Sequence, residues 1–87
     1  MARPKIDTEF KDLLPPLADD EKQRLSIKLQ MEGCREELIV WKETGILLDG
    51  HHRLDICEEH QIQYPCRLMS FQNRDQVIDW IVTNQLG

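Results

Sequence analysis

The amino-acid sequence predicts an α+β fold, a small mixed β-sheet carrying about three helices. Three observations lead there. Three segments place apolar residues at helical spacing, short β-branched or aromatic runs lie between them, and two of those runs are joined by a tight loop containing glycine. The resulting order is short strand, helix, hairpin, helix, strand, helix, the pattern of an α+β domain.

Met1 to Lys5 reads as an untethered start, and Ile6 to Phe10 as one short strand. Leu13-Leu14-Pro15-Pro16-Leu17 follows. Two consecutive prolines hold φ near the polyproline value and push Leu14 out of the helical region, so this piece is extended and covers something. The first helix is predicted over 19–32: Asp19 or Asp20 caps it, Glu21 sits in its first turn, Leu25 and Leu29 share a face, and Gly33 ends it. Leu38 to Lys42 is β-branched and aromatic, and Glu43-Thr44-Gly45 turns it into Ile46 to Asp49, a hairpin. A second helix runs from His51 to His60, with Leu54 and Cys57 on a buried stripe and Glu58 and Glu59 outside. Tyr64 to Phe71 is a strand with Pro65 at its start or on an edge. Gln72-Asn73-Arg74-Asp75 then caps a last helix whose stripe is Val77, Ile78, Ile81 and Val82, with Trp80 beside it, and which reaches Leu86; Gly87 is either its cap or a boundary.

The 87 residues make one domain, 1–87, near the size at which a single core suffices without disulfides. Three cysteines, Cys34, Cys57 and Cys66, include no tight pair, and neither a signal peptide nor an apolar run of membrane-spanning length is visible. The expectation is a reduced, cytoplasmic protein with no membrane partner. A net charge of −5 argues against this segment alone gripping a nucleic-acid backbone, which needs surplus Lys and Arg.

The chemistry concentrates at Asp49-Gly50-His51-His52-Arg53. A short buried strand that breaks at glycine and turns at once into a helix leaves the first helix amides unpaired, and those amides attract anions. Arg53 would fork onto the oxygens of a bound phosphate and His52 would donate another hydrogen bond. Asp49 would hold a divalent ion accompanying a polyphosphate or orient His52; the alternative is a helix N-cap. Glu36 and Glu37, two carboxylates at a strand entrance, are candidates to bind a metal or accept a proton, against a solvated turn. Cys57, His60 and Cys66, with His51, are zinc-type ligands, but the spacing is not that of a compact finger and Cys57 belongs to the buried stripe, so a core cysteine is favoured and no metal centre is assigned. Ser26, Ser70 and Cys34 lack a nucleophile's setting.

The order of elements together with Asp49-Gly50-His51-His52-Arg53 resembles the ParB N-terminal domain, within the wider ParB/sulfiredoxin-like superfamily. The resemblance covers nearly the whole chain. Partition proteins carry Gly-Glu-Arg-Arg at this corner and bind the triphosphate of CTP with it; Gly50 and Arg53 match, His51 and His52 replace the middle pair, and Asp55 stands where an arginine is usual. Sulfiredoxins and free-serine kinases show Gly-x-His-Arg, which is similar to Gly50-His51-His52-Arg53 and contacts nucleotide phosphates. Sulfiredoxin's reactive cysteine falls at His51, so sulfinic-acid reduction is not implied. A later Glu-Asn-x-x-Arg motif is represented by Asn84, with Thr83 and Gly87 replacing its charged residues. The resemblance implies a nucleoside triphosphate or diphosphate as ligand, with or without Mg2+, held by Asp49, Gly50, His51, His52, Arg53 and Asn84. It also implies a DNA-binding partition, plasmid or mobile-element protein that meets DNA through regions outside this chain, with homodimerisation left open. The incomplete last motif implies a divergent site or a fragment of a longer protein. A small phosphotransferase or NTPase with Glu36 or Glu37 as base, and an interaction module with a vestigial pocket, are the alternatives.

Overall fold

The computed structural model describes residues 3–86, with side chains as far as Asn84. The fold is α+β. Its elements run α1 (Thr8–Asp12), α2 (Asp19–Glu32), β1 (Leu38–Trp41), β2 (Ile46–Asp49), α3 (His51–Glu59), β3 (Cys66–Met69) and α4 (Arg74–Leu86). The sheet is mixed, in the order β2-β1-β3, with β1 antiparallel to β2 and parallel to β3. Lys5 adds one parallel bridge beside Ile46, so the backbone before α1 covers part of the β2 edge.

The helices α2, α3 and α4, the hairpin and the third strand lie where their sequence signals put them, and Gly33 ends α2 at a φ of 76°. The N-cap of α2 is Ala18, not an aspartate; Asp19, Asp20 and Glu21 fill the first turn, and Glu21 accepts a hydrogen bond from the Ala18 amide at 3.3 Å. Asn73 caps α4, its Oδ1 accepting from the Gln76 amide at 3.0 Å. Pro65 immediately precedes β3, which is shorter than the apolar run suggested.

Two expectations fail at the start of the chain. Ile6 to Phe10 is not a strand: Asp7 accepts from the Glu9 and Phe10 amides at 3.0 and 3.2 Å and so starts a helix instead. Arg3 to Lys5 is not untethered either, because Pro4 is buried, Lys5 pairs with β2 and Arg3 forms an ion pair with Glu58 at 2.6 Å. Met1, Ala2 and Gly87 lie outside the described residues.

The sheet is covered on both faces. On one, α1 and α4 bury Phe10, Trp41, Leu48, Val77 and Ile81; on the other, Leu54 of α3 packs with Leu38, Val40 and Leu47. Behind α3, α2 closes a third cluster through Leu29, Ile56 and Cys57. α3 is therefore held between the sheet and α2, and its N terminus is fixed in place. Among the described residues no helix is long and apolar enough to cross a membrane.

Phe10 has no exposed surface, meets Trp41 at a ring-centroid distance of 6.3 Å, and lies under the Arg74 guanidinium at 4.3 Å. Phe10→Ala should therefore cost about 3–5 kcal/mol in urea unfolding, a large share of the stability of so small a chain.

Candidate functional site

The corner between β2 and α3 is built on Gly50. Its φ of 100° belongs to the left-handed region, and a Cβ there would lie 2.3 Å from Leu38 Cδ2 and 3.1 Å from Arg53 Nη2. Only glycine accepts both constraints. The first helical hydrogen bond of α3 runs from the Leu54 amide to the Gly50 carbonyl at 2.8 Å. The His51, His52 and Arg53 amides precede it. Among the described residues no side-chain cap meets them, and they stand at the positive end of the helix.

The residues that carry these amides line a cleft of about 380 Å³. Asp49, Gly50, His51, His52 and Arg53 form one wall, and Leu14, Pro15, Leu17 and Leu25 the other. The Leu13-to-Leu17 segment is not extended throughout: Leu13 is in the αR region and the Leu13 and Leu14 amides turn back to the Phe10 and Lys11 carbonyls, and Leu14, Pro15 and Leu17 then line the cleft as an apolar strap. A second cleft of similar volume adjoins it, sharing Leu14, Pro15, His51 and His52 and adding Lys11, Asp12 and Pro16.

The charges are less free than the sequence suggested. Arg53, only 19% exposed, donates to Glu36 Oε2 at 3.1 Å and to the Glu37 carbonyl at 3.4 Å, and its Nη2 lies 3.7 Å from Asp49 Oδ2. Its Nε is buried, with no partner among the described residues. Glu36 is thus a partner of Arg53, not a carboxylate open to solvent alone, and Glu37 contributes its backbone. Asp49 is not the N-cap, which is Gly50, and its carboxylate faces Arg53, not His52.

His51 is nearly inaccessible, at 3% exposure, and neither of its ring nitrogens has a partner among the described residues. Burial, reinforced by the positive charge of Lys11, holds its pKa below the ordinary histidine value despite the nearby carboxylates of Asp49 and Asp55. It is neutral at pH 7. Lys11 is the residue that sequence reasoning missed, because nothing in its local pattern ties it to a histidine on a different helix.

Asn84 is exposed near the end of α4 and is not among the residues lining either cleft. The remaining chemistry-bearing residues also separate. Cys57 packs with Leu29 and Ile56, and burial followed by the neighbouring Cys34 pushes its thiol up to about 11, which suits a protonated core residue. His60 is exposed at the end of α3, 3.4 Å from Ser26 Oγ. Among the described residues no group of three or more His, Cys, Asp or Glu side chains is placed to hold a metal ion. Compared with known proteins, the chain matches no family model, no curated protein and no solved structure.

Two outcomes follow for stability. Gly50→Ala should cost about 2–4 kcal/mol, from the left-handed backbone and the overlap with Leu38, measured by chemical denaturation. His51 binds its proton less readily folded than unfolded, so it should lower stability progressively as pH falls below about 6.5, with no contribution above. His51→Leu should remove that slope and, by replacing an unpartnered buried imidazole, add about 1–2 kcal/mol at neutral pH.

Proposed function

We propose that this chain is a nucleotide-binding domain that holds phosphate oxygens at the α3 N terminus. The observation that carries this reading is the α3 N terminus, where the His51, His52 and Arg53 amides precede the first helical hydrogen bond with no side-chain cap among the described residues, and the same three residues line a cleft. Such amides suit an anion, and Gly50 allows its oxygens to approach the backbone closely. Arg53 supplies a planar fork at the same place, and His52, half-buried on the cleft wall, a further donor. The apolar wall of Leu14, Pro15, Leu17 and Leu25 suits the ribose and base of a nucleoside. Asp49 would share a Mg2+ brought in by a di- or triphosphate.

The resemblance of the corner and of the element order to ParB/sulfiredoxin-like domains favours the same ligand class. On that reading the domain serves a DNA-associated cytoplasmic protein of partition, plasmid or mobile-element type. DNA contact then falls to regions other than this chain, whose charge of −5 opposes it.

Calorimetric titration with ATP, ADP and CTP in the presence of Mg2+ tests the reading. Binding should weaken about 10- to 100-fold in Arg53→Ala, the worth of a charge-assisted fork. Glu36→Gln should instead tighten it, since a competing carboxylate is removed from Arg53. Turnover that stops when both Glu36 and Glu37 are replaced would turn the reading toward a small phosphotransferase. No heat with any nucleotide would leave an interaction module with a vestigial pocket.

A further inference from the structure

The two edges of the sheet differ. Lys5 covers part of the β2 edge, whereas β3 ends the strand order with no strand paired on its outer side among the described residues. The Leu38 amide donates to the Pro65 carbonyl and the Lys42 amide to the Met69 carbonyl, both at 2.8 Å, so Pro65, Arg67 and Met69 turn their backbone groups toward β1. Cys66, Leu68 and Ser70 therefore turn theirs outward, and none of their amides or carbonyls has a partner among the described residues. Pro65 does not blunt this edge, because the amide it lacks lies on the β1 side. Such a row of free donors and acceptors is a template for another strand.

The side chains along the edge are complementary to themselves. Leu68 is 59% exposed and, with Cys66, lines a cleft of about 400 Å³ shared with Val40, Pro4 and Lys5. On the other face of the sheet, beside Ile39, Arg67 is exposed and has no ion pair among the described residues. Glu43, at the far end of β3, also faces no cation there; it accepts from the Ser70 hydroxyl at 2.6 Å, the Phe71 amide at 3.0 Å and the Trp41 indole at 3.1 Å. The Ser70 hydroxyl, followed by the Phe71 amide, holds the Glu43 carboxyl below the ordinary range, so it is charged at pH 7.

We propose that β3 is the seat of a two-fold dimer, in which a second copy of this chain adds its own β3 antiparallel to the first with Leu68 on the axis. A two-fold contact sets a surface against itself, so the edge must match its own reverse. With Leu68 opposite the partner's Leu68, the outward groups of Cys66 meet those of the partner's Ser70, and every free amide and carbonyl of the three residues finds a partner. Arg67 then stands opposite the partner's Met69, beside the strand end that holds the partner's Glu43, and each free guanidinium comes within reach of a free carboxylate. Moving the axis to Arg67 also aligns the outward groups but sets two guanidiniums face to face, a destabilising pair. Charge therefore selects the Leu68 register. The two sheets run on as one, in the order β2-β1-β3-β3-β1-β2, and the Leu68 side chains cover each other. No residue of this edge lines the clefts at Gly50, so the association is separate from ligand binding there.

Sedimentation velocity on the full chain should show a monomer at about 1 µM passing to a dimer by about 500 µM, the affinity range of a small interface held largely by backbone bonds. Amide exchange followed by NMR reads the register. The Leu68 and Ser70 amides should exchange about tenfold more slowly in concentrated than in dilute protein, while the Met69 amide, bonded within the sheet, stays slow in both. Leu68→Lys, at a position exposed enough to accept it, and Arg67→Glu should each weaken dimerisation about tenfold or more. Met31→Ser, on the exposed face of α2, should leave it unchanged. A chain that stays monomeric at the highest concentration overturns the proposal and leaves the edge to an unlike strand. So does a dimer that survives Leu68→Lys, that Met31→Ser dissolves, or that leaves the Leu68 amide unprotected.

Discussion

The close approach of Gly50 to Leu38 is the constraint on which the site depends. Leu38 begins β1, the central strand, and is fully buried beneath α3. With no Cβ at position 50, the chain leaving β2 drops onto Leu38 and reverses within one residue. α3 then starts at once, its first turn against the sheet through Leu54 and its far side against α2 through Ile56 and Cys57. Any larger residue would lift the turn off Leu38 and displace the amides of His51 to Arg53 together. Core packing and the placement of the α3 N terminus therefore share one atom-scale requirement.

Arg53 ties that corner to the rest of the chain in a second way. It reaches back to Glu36 and the Glu37 carbonyl in the loop between α2 and β1, and sideways to Asp49 at the end of β2. Each contact is partly exposed, so its worth as a stabilising ion pair is small. Their larger effect is positional. The guanidinium is held at the border of the cleft with its Nε buried. The same carboxylates leave little of Arg53's charge uncommitted.

Much of this was legible in the sequence, and the parts that were not have physical causes. The α2, α3 and α4 helices are marked by apolar spacing and by Gly33, Gly50 and Asn73, all local signals acting within one turn. The hairpin follows from two β-branched runs closed by Gly45. The first strand was misjudged because Ile6 and Phe10 look like strand residues, whereas the deciding contact is Asp7 capping two amides, a cap that a single carboxylate creates or omits. At the corner, the clustering of Asp49 to Arg53 was visible because it is contiguous. The commitments of Arg53 to Glu36, the burial of His51 and the approach of Lys11 were not, since each joins residues far apart in sequence. Asn84 was singled out only through a family motif, and its place on an exposed part of α4 sets it apart from both clefts.

His51 shows how the demands of folding and of binding diverge at this corner. The fold would be better served there by an apolar side chain: the position is buried, faces the apolar Leu14 and Pro15, and opens the positive end of a helix. An imidazole at that point forfeits hydrogen bonds with water and gains none from the protein. Local breaches of the packing rules concentrate at functional sites, where the loss is recovered on binding. A neutral imidazole carries one N–H and one bare ring nitrogen, so what His51 lacks among the described residues is one acceptor and one donor. The corner thus keeps a buried imidazole whose hydrogen-bonding capacity the described residues leave unmet, beside an arginine already paired with Glu36 and Asp49.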